Sequence, residues 1–329
     1  MLMTLLVQVC GRKLKSCLSS KMEKSIKLFG SIICCILLVT FISCIHFREE
    51  IYLDVYQGEP ILFEEMLESL TRARIIYIGE VHTLKRHHRF QLRIIKALYQ
   101  KDIPLAIGLE MLPFKSQRYL DAWIEGKVDK KEFLQLINWE KTWGIDFDLY
   151  EPVFDFAREK KIKLLALNVP RSLVKKVARK GLSGLTDEEK DALPPVTPSS
   201  QEHRGYLALS LSRHKTFRGE FEQHVYEAQD VWDSTMAHHV VEYLKSDEGK
   251  GKTVVVLAGS GHMAYGYGIP ERVSGALGLP YLIVLPTSSG DVKFKKEWEK
   301  HIERVELTHE DFHFIKRPVA DFIFLVPLR

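Results

Sequence analysis

The sequence predicts an α/β fold of three layers, α/β/α, with a mostly parallel central sheet and a helical insertion. From about residue 50 onward, short runs rich in Ile, Val and Leu alternate with longer amphipathic stretches, the pattern of strands joined by crossover helices. Most of these runs are continuously apolar, which suits central strands covered on both faces. Two intervals, about 115–161 and 171–250, are too long for single crossovers and are expected to build a helical cap.

The candidate strands are Ile75–Gly79, Leu105–Met111, Lys163–Asn168, Thr253–Gly259, Tyr281–Pro286 and Asp321–Pro327. Between the first two, His87–Tyr99 places Phe90, Ile94, Ile95 and Leu98 on one helical face. Ser172 is expected to cap a helix through Val174, Val177 and Ala178 that ends at Gly181. Thr186 to Glu189 has the form of a capping box, and Pro194–Ser200 reads as the main irregular linker.

A chain of 329 residues with 46% apolar composition is an ordinary globular protein. Its net charge of +4 is small and dispersed, which argues against nucleic acid as a partner. All five cysteines lie within the first 44 residues, so the body has no disulfide, thiolate metal site or cysteine nucleophile.

Residues 28–45 are uncharged and follow Lys21, Lys24 and Lys27, the form of a secretory signal or a membrane anchor. The run ends in Phe41-Ile42-Ser43-Cys44, which resembles a bacterial lipobox with Cys44 as the lipidated residue, although Phe41 stands where leucine is usual. The expectation is an exported, lipid-anchored protein, in the outer membrane if the host has one. A single uncleaved N-terminal anchor is the alternative. Met22 opens a conventional signal, so either Met1 or Met22 is compatible with the start.

Ligands of open parallel sheets gather outside the carboxyl ends of the strands. Four candidate strands end in polar residues there: Gly79-Glu80-Val81-His82, Glu110, Asn168-Val169-Pro170-Arg171 and Gly259-Ser260-Gly261-His262. Gly79 and Gly259 permit a sharp turn and close backbone approach, and each is followed three residues on by a histidine. His82, Glu110 and His262 could hold a divalent metal, or divide base and acid roles over a substrate. The same residues also have plain structural readings: His82 as a helix cap and Glu110 as a carboxylate paired with Arg171. Glu80 shares the first turn, with an exposed acid as its expected state. His87 and His88 belong to the following helix, at most one of them joining a site. The loop Gly261–Pro270 offers His262, Met263, Tyr265 and Tyr267, side chains able to ligate haem iron, and packing is the plain reading of each tyrosine. Further on, Gln229, Asp233 and Met236 share one helix face and could close the site from above, with an ordinary solvated face as the alternative.

These segments together resemble the ChaN-like haem-binding family, in the superfamily that holds the Tiki and TraB proteins and is related to erythromycin esterase. The resemblance rests on IGEVH (78–82), LEM (109–111), WG (143–144) with Tyr150 and Pro152, ALNVPR (166–171), AQDVWDSTMA (228–237) and GSGHMAYGYGIP (259–270). Phe147 stands where the family pattern leads to tryptophan, a departure that touches packing in the cap. The resemblance implies a domain over 50–329, a surface lipoprotein active in haem or iron uptake, and haem as the ligand, with Gly79, Glu80, Asn168, Arg171, Gly259, Tyr265 and Tyr267 around it. A homodimer is compatible with it. The wider superfamily implies the alternative, a hydrolase of peptides or esters using His82, Glu110 and His262 with a divalent metal such as Mn or Zn.

Overall fold

The computed structural model describes residues 50–211, 219–287 and 313–325. The apolar run at 28–45 and Cys44 lie outside them, and no described helix is long and apolar enough to cross a membrane. The strands are β1 (Ile51–Asp54), β2 (Glu59–Ile61), β3 (Ile75–Glu80), β4 (Leu105–Pro113), β5 (Lys163–Asn168), β6 (Thr253–Gly259), β7 (Tyr281–Pro286) and β8 (Phe322–Leu325). They form one sheet in the order β2-β1-β8-β7-β3-β6-β4-β5. Strands β3 to β8 pair in parallel, while β1 joins antiparallel to both β8 and β2.

Each of the six expected strands is present, and the mostly parallel α/β sheet is as the apolar runs predicted. The edge pair β1 and β2 had no legible signal, since four and three residues are too few to display a period.

Both sheet faces are covered. Within β3, Ile76 and Ile78 join a core with Phe90, Ile94 and Phe154, whereas Ile75 and Tyr77 join another with Met236, Val240 and Val273. Each isoleucine so buried contributes about 1.5–3 kcal/mol. The first core lies under α1 (Phe63–Leu70) and α2 (Lys85–Gln100) and extends into the insertion between β4 and β5.

That insertion comprises α3 (Gln117–Glu125), α4 (Lys130–Ile137), α5 (Trp139–Thr142) and α6 (Glu151–Lys160). Phe147 is buried there against Trp139, ring centres 5.1 Å apart, so its departure from tryptophan is indeed a matter of packing.

After β5 come α7 (Arg171–Lys180), α8 (Asp187–Asp191), α9 (Gln201–Leu211) and the long α10 (Glu220–Lys245); α11 (Ile269–Leu277) follows β6. Val174 and Val177 of α7 pack with Ala228 and Val231 of α10. Pro170, rather than Ser172, stands at the N-cap of α7; Ser172 falls inside the first turn, and a proline at that end forfeits no helical hydrogen bond. The capping box at Thr186 and Glu189 is present.

Candidate functional site

The carboxyl ends of β3, β6, β4 and β5 lie side by side, and the polar strand endings converge there. Gly79 is required by space: a Cβ on it would come within 2.5 Å of Leu285 and 2.6 Å of Ser260 Oγ. Gly259 clears the floor of the site, because a Cβ there would lie 3.0 Å from His82 Cε1 and 3.6 Å from Glu110 Oε2.

One arm of the site is built around Glu80, which is buried rather than exposed as its sequence position suggested. His82 Nδ1–H donates to Glu80 Oε1 at 2.8 Å, as does the Tyr150 hydroxyl at 2.8 Å, and Gln91 Nε2 donates to Oε2 at 2.8 Å. Trp143 Nε1 in turn donates to Tyr150 at 3.0 Å, and its ring packs edge-on to His82 with centres 4.8 Å apart. Burial and the Glu80 carboxylate keep the Tyr150 hydroxyl protonated by raising its pKa. With Nδ1 engaged, Nε2 is the nitrogen His82 offers to the cavity. Burial alone would lower the His82 pKa, but Glu110 and Glu80 outweigh it and raise it.

The second arm centres on His262. Its Nδ1–H donates to Asp233 Oδ1 at 2.6 Å, and Nε2 lies 3.3 Å from Glu110 Oε1. The Gln229 amide nitrogen is 2.9 Å from the same Nδ1. Gly259 N–H donates to Glu110 Oε2 at 2.6 Å. Burial opposes charge on this ring, yet Glu110 and Asp233 on either side push its pKa up to about 10. Burial likewise works against the Glu110 carboxylate, but His262, His82 and the Gly259 amide hold its pKa at about 2. At neutral pH His262 is therefore an imidazolium between two carboxylates, and its nitrogens are committed as donors.

Between the arms lies a cleft of about 370 Å³, walled by Trp143, Trp232, Met111 and Ile145, with His82, Glu110 and His262 on its floor and Arg171 among its lining residues. Among the described residues no group of three or more His, Cys, Asp or Glu side chains is arranged to hold a metal ion. The alternative of Mn or Zn at His82, Glu110 and His262 thus has no support among the described residues, where Glu110 is engaged instead by His262 Nε2 and the Gly259 N–H.

The sequence model for haem-binding uptake proteins of the ChaN type, in the Tiki superfamily, matches residues 66–273. The chain belongs to this ChaN family. A solved structure described as cofacial heme binding to ChaN of Campylobacter jejuni is similar at a TM-score of 0.61 and 22% identity, over 86% of this chain and 98% of that one. A mutant erythromycin esterase in its open conformation matches at a TM-score of 0.44 and 15% identity, over 72% of this chain and 76% of that one. A curated relative, Protein RETICULATA-RELATED 5, chloroplastic, of Arabidopsis thaliana, is 26% identical over 66% of this chain; the match spans 32% of that protein.

In this ChaN-family chain, the residues read from sequence divide in two. His82, Glu110, Asn168, Arg171 and His262 line the cleft; Glu80 and Gly259 stand behind His82 and Glu110, and Gly79 packs against Leu285 and Ser260. Asn168 acts by tying strand ends, its Nδ2 donating to the Glu110 carbonyl at 2.8 Å and its Oδ1 accepting from Val169 N at 2.7 Å. Glu110 binds His262 and Gly259, not Arg171.

Tyr265 and Tyr267 do not reach the cleft. Tyr267 is buried flat against His203 with ring centres 5.2 Å apart, and Tyr265 lines a separate depression with Tyr281 and Arg317. Residues whose part was not read from sequence are Trp143, Tyr150 and Gln91; Tyr150 lies 70 positions from Glu80, beyond any local pattern. Asp233 and Gln229 close the site from α10, and Asp233 is fully buried, which removes the solvated-face reading.

His87 and His88 are buried on α2 and pin the turn before it: Val81 N–H donates to His87 Nδ1 at 2.9 Å, and His88 Nε2–H donates to the His82 carbonyl at 2.9 Å.

Proposed function

We propose that the protein binds haem in the cleft at the carboxyl end of the sheet, with His82 Nε2 as an iron ligand. The observation that carries the reading is the buried Glu80–His82 pair. An imidazole held at Nδ1 by a carboxylate is fixed in orientation and tautomer and made more basic at Nε2, the usual arrangement behind a metal-ligating histidine. The surroundings fit the group: Trp143, Trp232, Met111 and Ile145 supply apolar surface for a flat macrocycle, and exposed Arg171 supplies a cation for its carboxylates. The cleft volume of about 370 Å³ falls within the range of small-molecule sites. Bound haem supplies iron; the chain's residues bind and orient it. Export, lipid attachment at Cys44 and a role in iron uptake complete the proposal, motivated by the charge-free run after three lysines. Titration of haemin into the purified protein should give a saturable Soret shift that His82→Ala abolishes or displaces; no shift in the wild-type protein would remove this reading.

A second reading has its own observation. Two carboxylate–imidazole pairs, Glu80–His82 and Asp233–His262, face one cleft, and such pairs suit general base and general acid roles in ester or peptide hydrolysis. Turnover of a panel of esters and peptides by the haem-free protein, lost in both His82→Ala and His262→Ala, is the outcome that supports it. Absence of turnover dismisses it.

A further inference from the structure

Glu80 Oε1 is shared between two donors. It accepts from His82 Nδ1–H and from the Tyr150 hydroxyl, each at 2.8 Å, while Oε2 takes Gln91 Nε2 at 2.8 Å. Glu80 and Tyr150 are both buried, so solvent has little part in this competition. Two donors on one carboxylate oxygen weaken each other, because each draws on the charge that attracts the other.

Tyr150 is in turn supported from the cleft wall. Trp143 Nε1–H donates to its oxygen at 3.0 Å, and a hydroxyl that accepts a hydrogen bond becomes a stronger donor by about 10–30%. The Trp143 ring also lines the cleft and meets His82 edge-on, centres 4.8 Å apart. One side chain thus touches both the ligand space and the head of a hydrogen-bonded chain, Trp143 to Tyr150 to Glu80, that ends on the far nitrogen of His82.

Both residues are held in place by the insertion between β4 and β5, not by the sheet that carries His82. Gly144 turns the chain after Trp143 at a φ of +79°, and Trp139 Nε1–H closes that turn on the Ile145 carbonyl at 2.6 Å. Tyr150 stands at the N-cap of α6, its ring packed on Trp139 and His88 with centres 5.4 and 4.4 Å away.

We propose that the insertion moderates the strength of His82 as an iron ligand: the Tyr150 hydroxyl, reinforced by Trp143, holds back part of the Glu80 charge that would otherwise go to His82 Nδ1. The inference rests on the haem reading above and names the control of that site, with Tyr150 and Trp143 as positioning residues that act through Glu80. Without the hydroxyl, Gln91 and His82 still hold the carboxylate, so the Glu80–His82 bond tightens rather than breaks. A protein that passes its ligand on needs such a restraint, because affinity gained at the iron slows release.

The test uses the full-length protein with and without haem. Without haem, the nitrogen NMR resonance of His82 Nδ1, read in alkaline solution where the ring is neutral, reports the bond to Glu80 and moves downfield as that bond strengthens. Tyr150→Phe, which keeps the ring and its packing, should move it downfield. Trp143→Phe should move it the same way by less, and should add nothing once Tyr150→Phe is present. With haem bound, the iron–histidine stretching frequency of the ferrous protein should rise in the same order, and Tyr150→Phe should bind haem severalfold more tightly. No movement or an upfield movement in Tyr150→Phe would overturn the inference, as would a Trp143→Phe effect of equal size with and without the Tyr150 hydroxyl. The expected resonance pattern in a protein that gives no Soret shift would uphold the control of His82 and remove the haem reading alone.

Discussion

His262 Nε2 and Glu110 Oε1 lie 3.3 Å apart across the neighbouring strands β6 and β4, and Asp233 Oδ1 holds the far side of the ring at 2.6 Å. The pair couples the site to folding. Glu110, held at about 2 against an ordinary 4.5, contributes stability that is present above 4.5 and lost as pH falls toward 2. His262, raised to about 10 from 6.5, contributes stability that is full below 6.5 and lost as pH rises toward 10. The stability difference between wild type and Glu110→Gln should therefore be largest from pH 4.5 to 6.5, on the order of 3 kcal/mol, and shrink on either side. Urea melts across that range measure it; a difference independent of pH contradicts the pairing.

Haem affinity should depend on Glu80 without any contact between Glu80 and haem. Glu80→Gln keeps hydrogen-bonding groups beside His82 Nδ1 and Tyr150 but removes the charge, and loss of such a supporting carboxylate costs about 10–100-fold in metal affinity. Because the His82 pKa is raised, protons compete with iron, and affinity should fall as the solution is acidified. Soret titrations of both proteins at several pH values would read both effects; identical curves would separate Glu80 from the ligand.

Gly259→Ala is a steric probe of the same ring. The new Cβ would stand 3.0 Å from His82 Cε1 and 3.2 Å from Nε2, so the imidazole must move by a few tenths of an ångström. Haem affinity should drop several-fold while stability falls by only about 1 kcal/mol, the modest cost of a slightly overpacked contact. Equal affinity with a shifted melting point would mean that His82 is not at the ligand.

Strand positions and strand-end polarity were legible because they are local. β3, β5, β6 and β7 are unbroken apolar runs, and their endings carry Gly79, His82, Gly259 and His262 in sequence order. What joins these residues is not local. Tyr150 and Trp143 arrive from the cap, and Asp233 arrives from the middle of α10, where its i, i+4 relation to Gln229 showed a shared face but not which way that face looked. Glu80 misled because an acid next to a turn is ordinarily solvated; three donors from different elements make its burial tolerable. For Tyr265 and Tyr267 the sequence left packing as the plain reading beside an iron-ligand one, because a glycine-rich loop carries no sign of where its side chains point; here His262 of that loop reaches the cleft while Tyr267 packs flat on His203.

His87 should matter to folding and not to haem. It is fully buried on α2, accepts from Val81 N–H at 2.9 Å, which requires Nδ1 to be unprotonated and the ring neutral, and donates through Nε2 to the Thr287 carbonyl at 3.2 Å. Burial lowers its pKa to about 4, hence its contribution is present above 6.5 and is lost as pH falls from 6.5 to 4, when the ring must charge. His87→Ala leaves a cavity and an unsatisfied Val81 N–H, a loss of about 2–4 kcal/mol at pH 7. The variant should also lose the part of the acid slope between pH 6.5 and 4 that His87 contributes, while the Soret band of the haem-loaded protein keeps its position. A variant with wild-type stability and slope but a displaced Soret band would reverse the assignment and make His87, rather than His82, the histidine of this turn that meets the iron.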